Sequence, residues 1–277
     1  MNNLIKRLIT GTLFVIAILG SILLHKYAYF VVFGTIVILG INELNKLLNT
    51  GQTSIQKEFT LIIGAILYLG TFFAIAENIS PLWFLILIPV ITLVFIIELF
   101  RKSEAPISNI ALTLFVPFYI ALPFSFLHFL AFYTGEYHFK FLLGFFILVW
   151  SNDTGAYLIG VNFGKKRLFE RLSPKKSWEG AIGGTVITLL IAVGLSFFYP
   201  NFSMFHLINC IFIGVIISIM GIFGDLTGSL IKRSVNKKDS GTIFPGHGGI
   251  IDRFDSVVFA APMVVGYLIL VGILYNL

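Results

Sequence analysis

Asp225, Ser229 and Lys232 are separated by four and then three residues in GIFGDLTGSLIKR, a spacing that stacks a carboxylate, a hydroxyl and an ammonium on one helical face. The residues before them are apolar, so Asp225 lies near the end of a membrane-type helix. A carboxylate there is costly, by about 2.5 to 3.5 kcal/mol on insertion scales at the helix centre, and needs a partner or a wet cavity. The chain continues SLIKRSVNKKDSGTIFPGHGGIIDRFD, where five basic residues and three aspartates accompany a PGHGG turn. Glycines let backbone N–H groups approach an anion, and Lys and Arg neutralise phosphate charge. Aspartates beside such groups suit a hard cation such as Mg2+. The segment from Ser229 to Asp255 therefore has the composition of a phosphate site. The plainer alternative is an Asp225–Lys232 pair, or a helix-packing contact helped by Gly221, Gly224 and Gly228. For His247, between Gly246 and Gly248, a substrate-facing role and a turn role both stay open.

A second polar anomaly is WSNDTGAYLIGVNFGKK. Asp153 has Tyr157 one turn on and Gly160 two turns on, so a polar face again meets the membrane boundary; a capping or pairing role within the bundle is the alternative. In the SPKKSWEG stretch that follows, Ser173 and Pro174 suit a helix start. Lys175 and Lys176 could reach the same anionic ligand as the first segment, or could simply be solvated at the interface.

The elements that must position these residues are membrane helices. Of the 277 residues 57% are hydrophobic and 12% charged, against roughly a quarter charged in a soluble domain, which excludes a water-soluble globule. Apolar runs give nine spans, near 8–24, 28–48, 59–76, 81–100, 107–133, 140–160, 180–199, 204–231 and 256–276. The expected fold is an all-α polytopic membrane helix bundle. Pro117 and Pro123 fall inside the fifth span, where a kink is expected. The first span follows Lys6 and Arg7 and ends GSILLHKY, with no small-x-small cleavage site, so it reads as a retained anchor. Cys210 is the single cysteine, which excludes an internal disulfide and a multi-thiolate metal site.

Charge orders the spans. With the N-terminus cytoplasmic and the C-terminus outside, all 19 basic residues except Lys26 and Lys140 fall on the cytoplasmic side. The net charge of +6 is thus sided. It calls for anionic lipid and phosphate partners, and no nucleic-acid partner is expected. The organisation expected is a scaffold of helices over 1–138 and a catalytic region over 139–277, with long cytoplasmic loops at 161–179 and 232–255.

Residues 229 to 255 resemble the signature of the phosphatidate cytidylyltransferases, also called CDP-diacylglycerol synthases. The resemblance is carried by Ser229, the Lys232-Arg233 pair, Lys238-Asp239, the Pro245 to Gly249 stretch, and Asp252-Arg253 with Asp255. NDTGAY and SPKKSWEG are similar to the family as well, so the match runs roughly from 150 to 262. The resemblance implies a cell-membrane enzyme, its site facing the cytoplasm, that converts CTP and phosphatidate to CDP-diacylglycerol and pyrophosphate. It also implies a homodimer, and a second, monovalent cation such as K+ beside Mg2+.

On this reading Asp225 and Asp252 hold the divalent cation, with Asp255 as a further ligand. Lys232, Arg233 and Lys238 neutralise the triphosphate or the lipid phosphate, and Ser229 hydrogen-bonds a phosphate oxygen or a metal-bound water. Asp153, Lys175, Lys176, Asp239, His247, Gly248, Gly249 and Arg253 complete the substrate surroundings. A CTP-dependent lipid-alcohol kinase is the nearest rival in chemistry. An ion- or proton-coupled transporter is the rival from another class, but the paired broken helices of two related halves are not visible.

Overall fold

The computed structural model describes residues 3–50, 53–198, 206–241 and 248–275. Among them are nine α-helices: α1 (Asn3–Leu24), α2 (Lys26–Leu48), α3 (Lys57–Ala76), α4 (Leu87–Phe100), α5 (Pro106–Ala131), α6 (Phe139–Phe163), α7 (Trp178–Phe198), α8 (Leu207–Ser234) and α9 (Ile251–Tyr275). A 3-10 helix, Pro81–Ile86, leads into α4. Eight helical segments of the described residues are long and apolar enough to cross a bilayer, and α1 adds the apolar stretch Thr10–Leu24. Large apolar side chains such as Leu99, Phe100, Leu190 and Phe198 remain exposed on these helices. Lipid accounts for both features, because a helix satisfies its own backbone and apolar side chains need no water. The chain is a multi-pass membrane protein.

Sequence and structure part at three places. The all-α class holds, and what the sequence leaves out is a short antiparallel hairpin inside the 161–179 loop, β1 (Arg167–Phe169) paired with β2 (Ser173–Ser177). Ser173 and Pro174 therefore open a strand and not a helix. The helix start lies four residues later, where the Ser177 hydroxyl accepts the Gly180 N–H at 3.1 Å and caps α7. The 232–255 loop is shorter than its polarity suggests, since α8 runs on to Ser234 and α9 begins at Ile251.

The chain divides into two compact units, the first comprising Met1–Phe139 with Ser234–Phe254 and the second Lys140–Arg233 with Asp255–Leu277. The segment Ser234–Phe254, which sequence reading assigns to the C-terminal region, thus groups with the N-terminal helices. The core of the first unit is aromatic, with Tyr29, Phe33, Phe72 and Phe124 fully buried. His128 bridges two of its helices, bonding the Tyr29 hydroxyl at 2.9 Å and the Tyr68 carbonyl at 3.2 Å. Pro117 and Pro123 lie inside α5, which runs unbroken from Pro106 to Ala131.

A buried polar knot fastens the turn between α2 and α3. The Glu98 carboxylate accepts from Gln56 Nε2 at 2.8 Å, Asn109 Nδ2 at 2.6 Å and Arg101 at 3.0 Å. Asn109 and Thr113 in turn accept the backbone N–H groups of Ser54 and Gln56.

In the second unit α6 and α7 approach closely through small residues. A Cβ added to Gly180 would lie 2.8 Å from the Ala156 carbonyl, and one added to Gly184 would lie 2.8 Å from that of Asn152. Small residues at such spacing let membrane helices pack backbone to backbone.

Candidate active site

The glycines of α8 decide what can approach Asp225. A Cβ at Gly224 would collide with the Asp255 carbonyl oxygen, and one at Gly228 would touch the Asp255 side chain at 3.4 Å. The bare face of α8 therefore admits Asp255 and Ser256 against it. Ser256 donates its N–H to Asp255 Oδ1 at 2.8 Å and its hydroxyl to Asp153 Oδ1 at 3.3 Å. Asp153 comes from α6, Asp225 from α8 and Asp255 from α9, so three elements converge. Their carboxylates interact electrostatically with one another and with Lys176, and Asp255 also feels Lys232.

Lys176 makes the direct contact, an ion pair from its ammonium to Asp225 Oδ2. The hairpin delivers it. Lys176 is next to the α7 cap Ser177, and Trp178 N–H donates to the Lys166 carbonyl at 2.9 Å. Glu179, in the first turn of α7, accepts the N–H groups of Lys165 at 3.0 Å and Lys166 at 3.2 Å. A carboxylate at a helix N-terminus is itself favoured by the exposed amides there. Lys175, one place earlier in the strand, is exposed and belongs to the opposite strand face.

Asp225, Ser229 and Lys232 all lie in α8, as the spacing requires; Asp225 and Ser229 are half-buried and Lys232 is buried. Arg233, Lys238, Asp239 and Arg253 are exposed. His247, with Pro245 and Gly246, lies outside the described residues.

Asp252 sits in the other unit, in the first turn of α9, where its Oδ2 gathers three donors. These are the N–H of Gly249 at 3.1 Å, the N–H of Ser240 at 3.2 Å and the Ser240 hydroxyl at 2.9 Å. Gly248 makes this closure possible. It has φ +83°, a left-handed conformation, and an added Cβ would lie 2.7 Å from Asp252 Oδ2.

Sequence reasoning passes over Glu43. This α2 carboxylate is 4% exposed and accepts the Ser240 hydroxyl at 2.6 Å and the N–H groups of Ile250 at 2.9 Å and Ile251 at 3.0 Å. The signal was present, since an acid inside the apolar run ILGINELNKLL is the same anomaly that singles out Asp225. Ser256 and Glu179 carried no such signal.

The donor chemistry suits a hard cation. Asp225 already holds a cationic group, the Lys176 ammonium, and its neighbours are carboxylates. Among the described residues no group of three or more His, Cys, Asp or Glu side chains is gathered as a metal cage. Mg2+ does not require one, because it keeps several waters and binds through one or two carboxylates plus substrate phosphates.

Residues 5–271 match the family described as the cytidylyltransferase family. The chain belongs to it. The family extends well beyond the 150 to 262 region in which motifs are recognisable, into the first five helices. Among relatives, the phosphatidate cytidylyltransferase of Haemophilus influenzae is 33% identical over 279 residues, covering 93% of this chain and 96% of its own length. The Staphylococcus haemolyticus protein of the same name is 41% identical over 140 residues, half of this chain and 52% of its own. That of Staphylococcus aureus strain COL is 37% identical over 163 residues, 58% and 60% of the two chains.

Proposed function

We propose that this protein is a phosphatidate cytidylyltransferase, joining CTP and phosphatidate into CDP-diacylglycerol with release of pyrophosphate. The observation that carries the reading is Lys176 seated on Asp225 within electrostatic reach of Asp153 and Asp255, in a chain of the cytidylyltransferase family. A phosphate oxygen of phosphatidate attacks the α-phosphorus of CTP, and the bond from that phosphorus to the bridging oxygen breaks as pyrophosphate leaves. A phosphate monoester is anionic and nucleophilic at neutral pH, so no activated Ser or Cys is needed. The enzyme's work is to position two polyanions and neutralise the charge that builds on the leaving group.

Lys176, Lys232, Arg233 and Lys238 supply positive charge, and Ser229 offers a hydroxyl to a phosphate oxygen. Asp225 with Asp255 would hold Mg2+, whose contribution when bound is neutralisation of the triphosphate, and the family resemblance adds Asp252 as a residue serving the reacting phosphates. The family resemblance adds a second, monovalent cation and a homodimer. The sidedness of the basic residues supports a cell-membrane location with the site facing the cytoplasm, where soluble CTP and a lipid can both reach it.

The test is an assay of the full chain in phosphatidate-containing detergent micelles with labelled CTP and Mg2+. CDP-diacylglycerol and pyrophosphate are the expected products. Release of CDP with phosphorylation of a lipid alcohol, and no reaction with phosphatidate, would overturn the reading.

A further inference from the structure

Glu43 is a charged side chain near the C-terminal end of a membrane helix, and each of its partners lies about 200 residues further along the chain. Two of these, the N–H groups of Ile250 and Ile251, are amides at the very start of α9, where a helix has no internal acceptors to offer. A carboxylate from α2 therefore caps α9 from outside. The third partner, Ser240 Oγ, lies within hydrogen-bonding distance of Asp252 Oδ2 as well, at 2.9 Å, so Glu43 and Asp252 share one hydroxyl.

The glycines of the signature fit around this contact. A Cβ at Gly249 would collide with Glu43 Oε1, and one at Gly241 would lie 2.5 Å from Oε2. Sequence reasoning attributes such glycines to close approach of a ligand. At 241 and 249 what approaches is Glu43, and the apolar packing of Gly40 against Ile120 and Ile250 continues the same seam one turn earlier.

We propose that Glu43 is a positioning residue for cytidylyl transfer: by capping α9 and binding Ser240 it fixes the first turn of α9, and with it Asp252. The proposal rests on the function argued above. Glu43 has no contact with the reaction in this scheme and acts through the geometry of Asp252. A displacement of about 1 Å in such a group is enough to cost about 100-fold in rate.

The test compares the full-length wild type with E43Q in detergent micelles. Whichever oxygen is replaced, the new amide nitrogen faces a backbone N–H, so a donor meets a donor while size is kept. The expected result is a fall in kcat of about 100-fold, with the KM for phosphatidate within about 2-fold of wild type because no lipid contact is removed. Amide exchange at Gly249–Asp252 should accelerate by about 10-fold or more while that of α3 and α5 stays slow.

Wild-type kcat in folded E43Q would overturn the proposal. So would a loss of activity that only tracks the loss of folded protein, with exchange rising equally in α3 and α5. If E43Q does not fold, S240A is put through both measurements: slowed turnover with loosened Gly249–Asp252 supports the proposal, and unchanged values overturn it. A wild type that makes no CDP-diacylglycerol would sink the functional reading, whereas an active wild type matched by its variants would sink the role of Glu43 alone.

Discussion

Two groups of carboxylates serve this chain, and they are satisfied in opposite ways. In the first unit Glu43 and Asp252 are met by backbone N–H groups and by the one hydroxyl of Ser240. In the second, Asp153, Asp225 and Asp255 face one another, with Lys176 and Lys232 as the nearby cations. Backbone amides cannot leave, so the first group holds a shape. A lysine ammonium on a flexible stem can exchange one anion for another, so the second group can hand its charge to a phosphate or accept a cation in its place. The lesson is that the charge count of a carboxylate cluster says less about its role than the mobility of its partners.

The largest effect should come from separating the two groups by mutation. D225N is expected to lower kcat by at least about 100-fold while leaving amide exchange at Gly249–Asp252 unchanged. D252N should lose a comparable factor and also loosen that segment, because a neutral amide oxygen is a weaker acceptor than the carboxylate for the donors of Ser240 and Gly249 that converge on Oδ2. Equal exchange behaviour in the two variants would erase the distinction.

G249A attacks the first group alone, since its Cβ would enter the space of Glu43 Oε1. Local opening of the α9 start should become easier by about 2 kcal/mol, read by hydrogen exchange. K176M attacks the second alone. It removes the ion pair to Asp225, and kcat/KM for CTP should fall by about 10-fold with exchange at Gly249 as in wild type.

The smallest effect belongs to a surface pair outside both groups. Glu77, just past the end of α3, accepts from the Lys26 ammonium at 2.8 Å and the Tyr27 hydroxyl at 2.9 Å. These hydrogen bonds, that of Lys26 foremost, hold its carboxyl below the usual range. A depressed folded pKa gives stability that is present above the unfolded value and is lost as pH falls through the folded one. E77Q should therefore differ slightly from wild type in melting temperature at neutral pH and converge with it in acid. The exposure of the pair keeps the difference small.

Much of this was legible in the sequence wherever the cause is local. Lipid forces long apolar helices, so hydropathy located the spans, and the 225, 229, 232 spacing described a real face of α8. The helix ends run past the apolar spans because Lys232, Arg233, Asp252 and Asp255 are polar, as loop residues are, yet occupy the end of α8 and the start of α9. The hairpin stayed hidden because Ser173-Pro174 imitates a cap whose function Ser177 performs. Glu43 stayed hidden because its meaning depends on donors about 200 residues away, and no local pattern encodes a contact of that range.

That range has a consequence for how the protein is made. The carboxylate of Glu43 enters the bilayer with the second helix, yet two of its three partners, the N–H groups of Ile250 and Ile251, are synthesised about 200 residues later at the start of α9. Until then a nascent chain carries an acid in an apolar helix without those partners, a state costly enough to mark it as unfinished. A chain truncated before Ile250 would keep Ser240 as a partner of Glu43 and would lack both amides that cap onto it from α9.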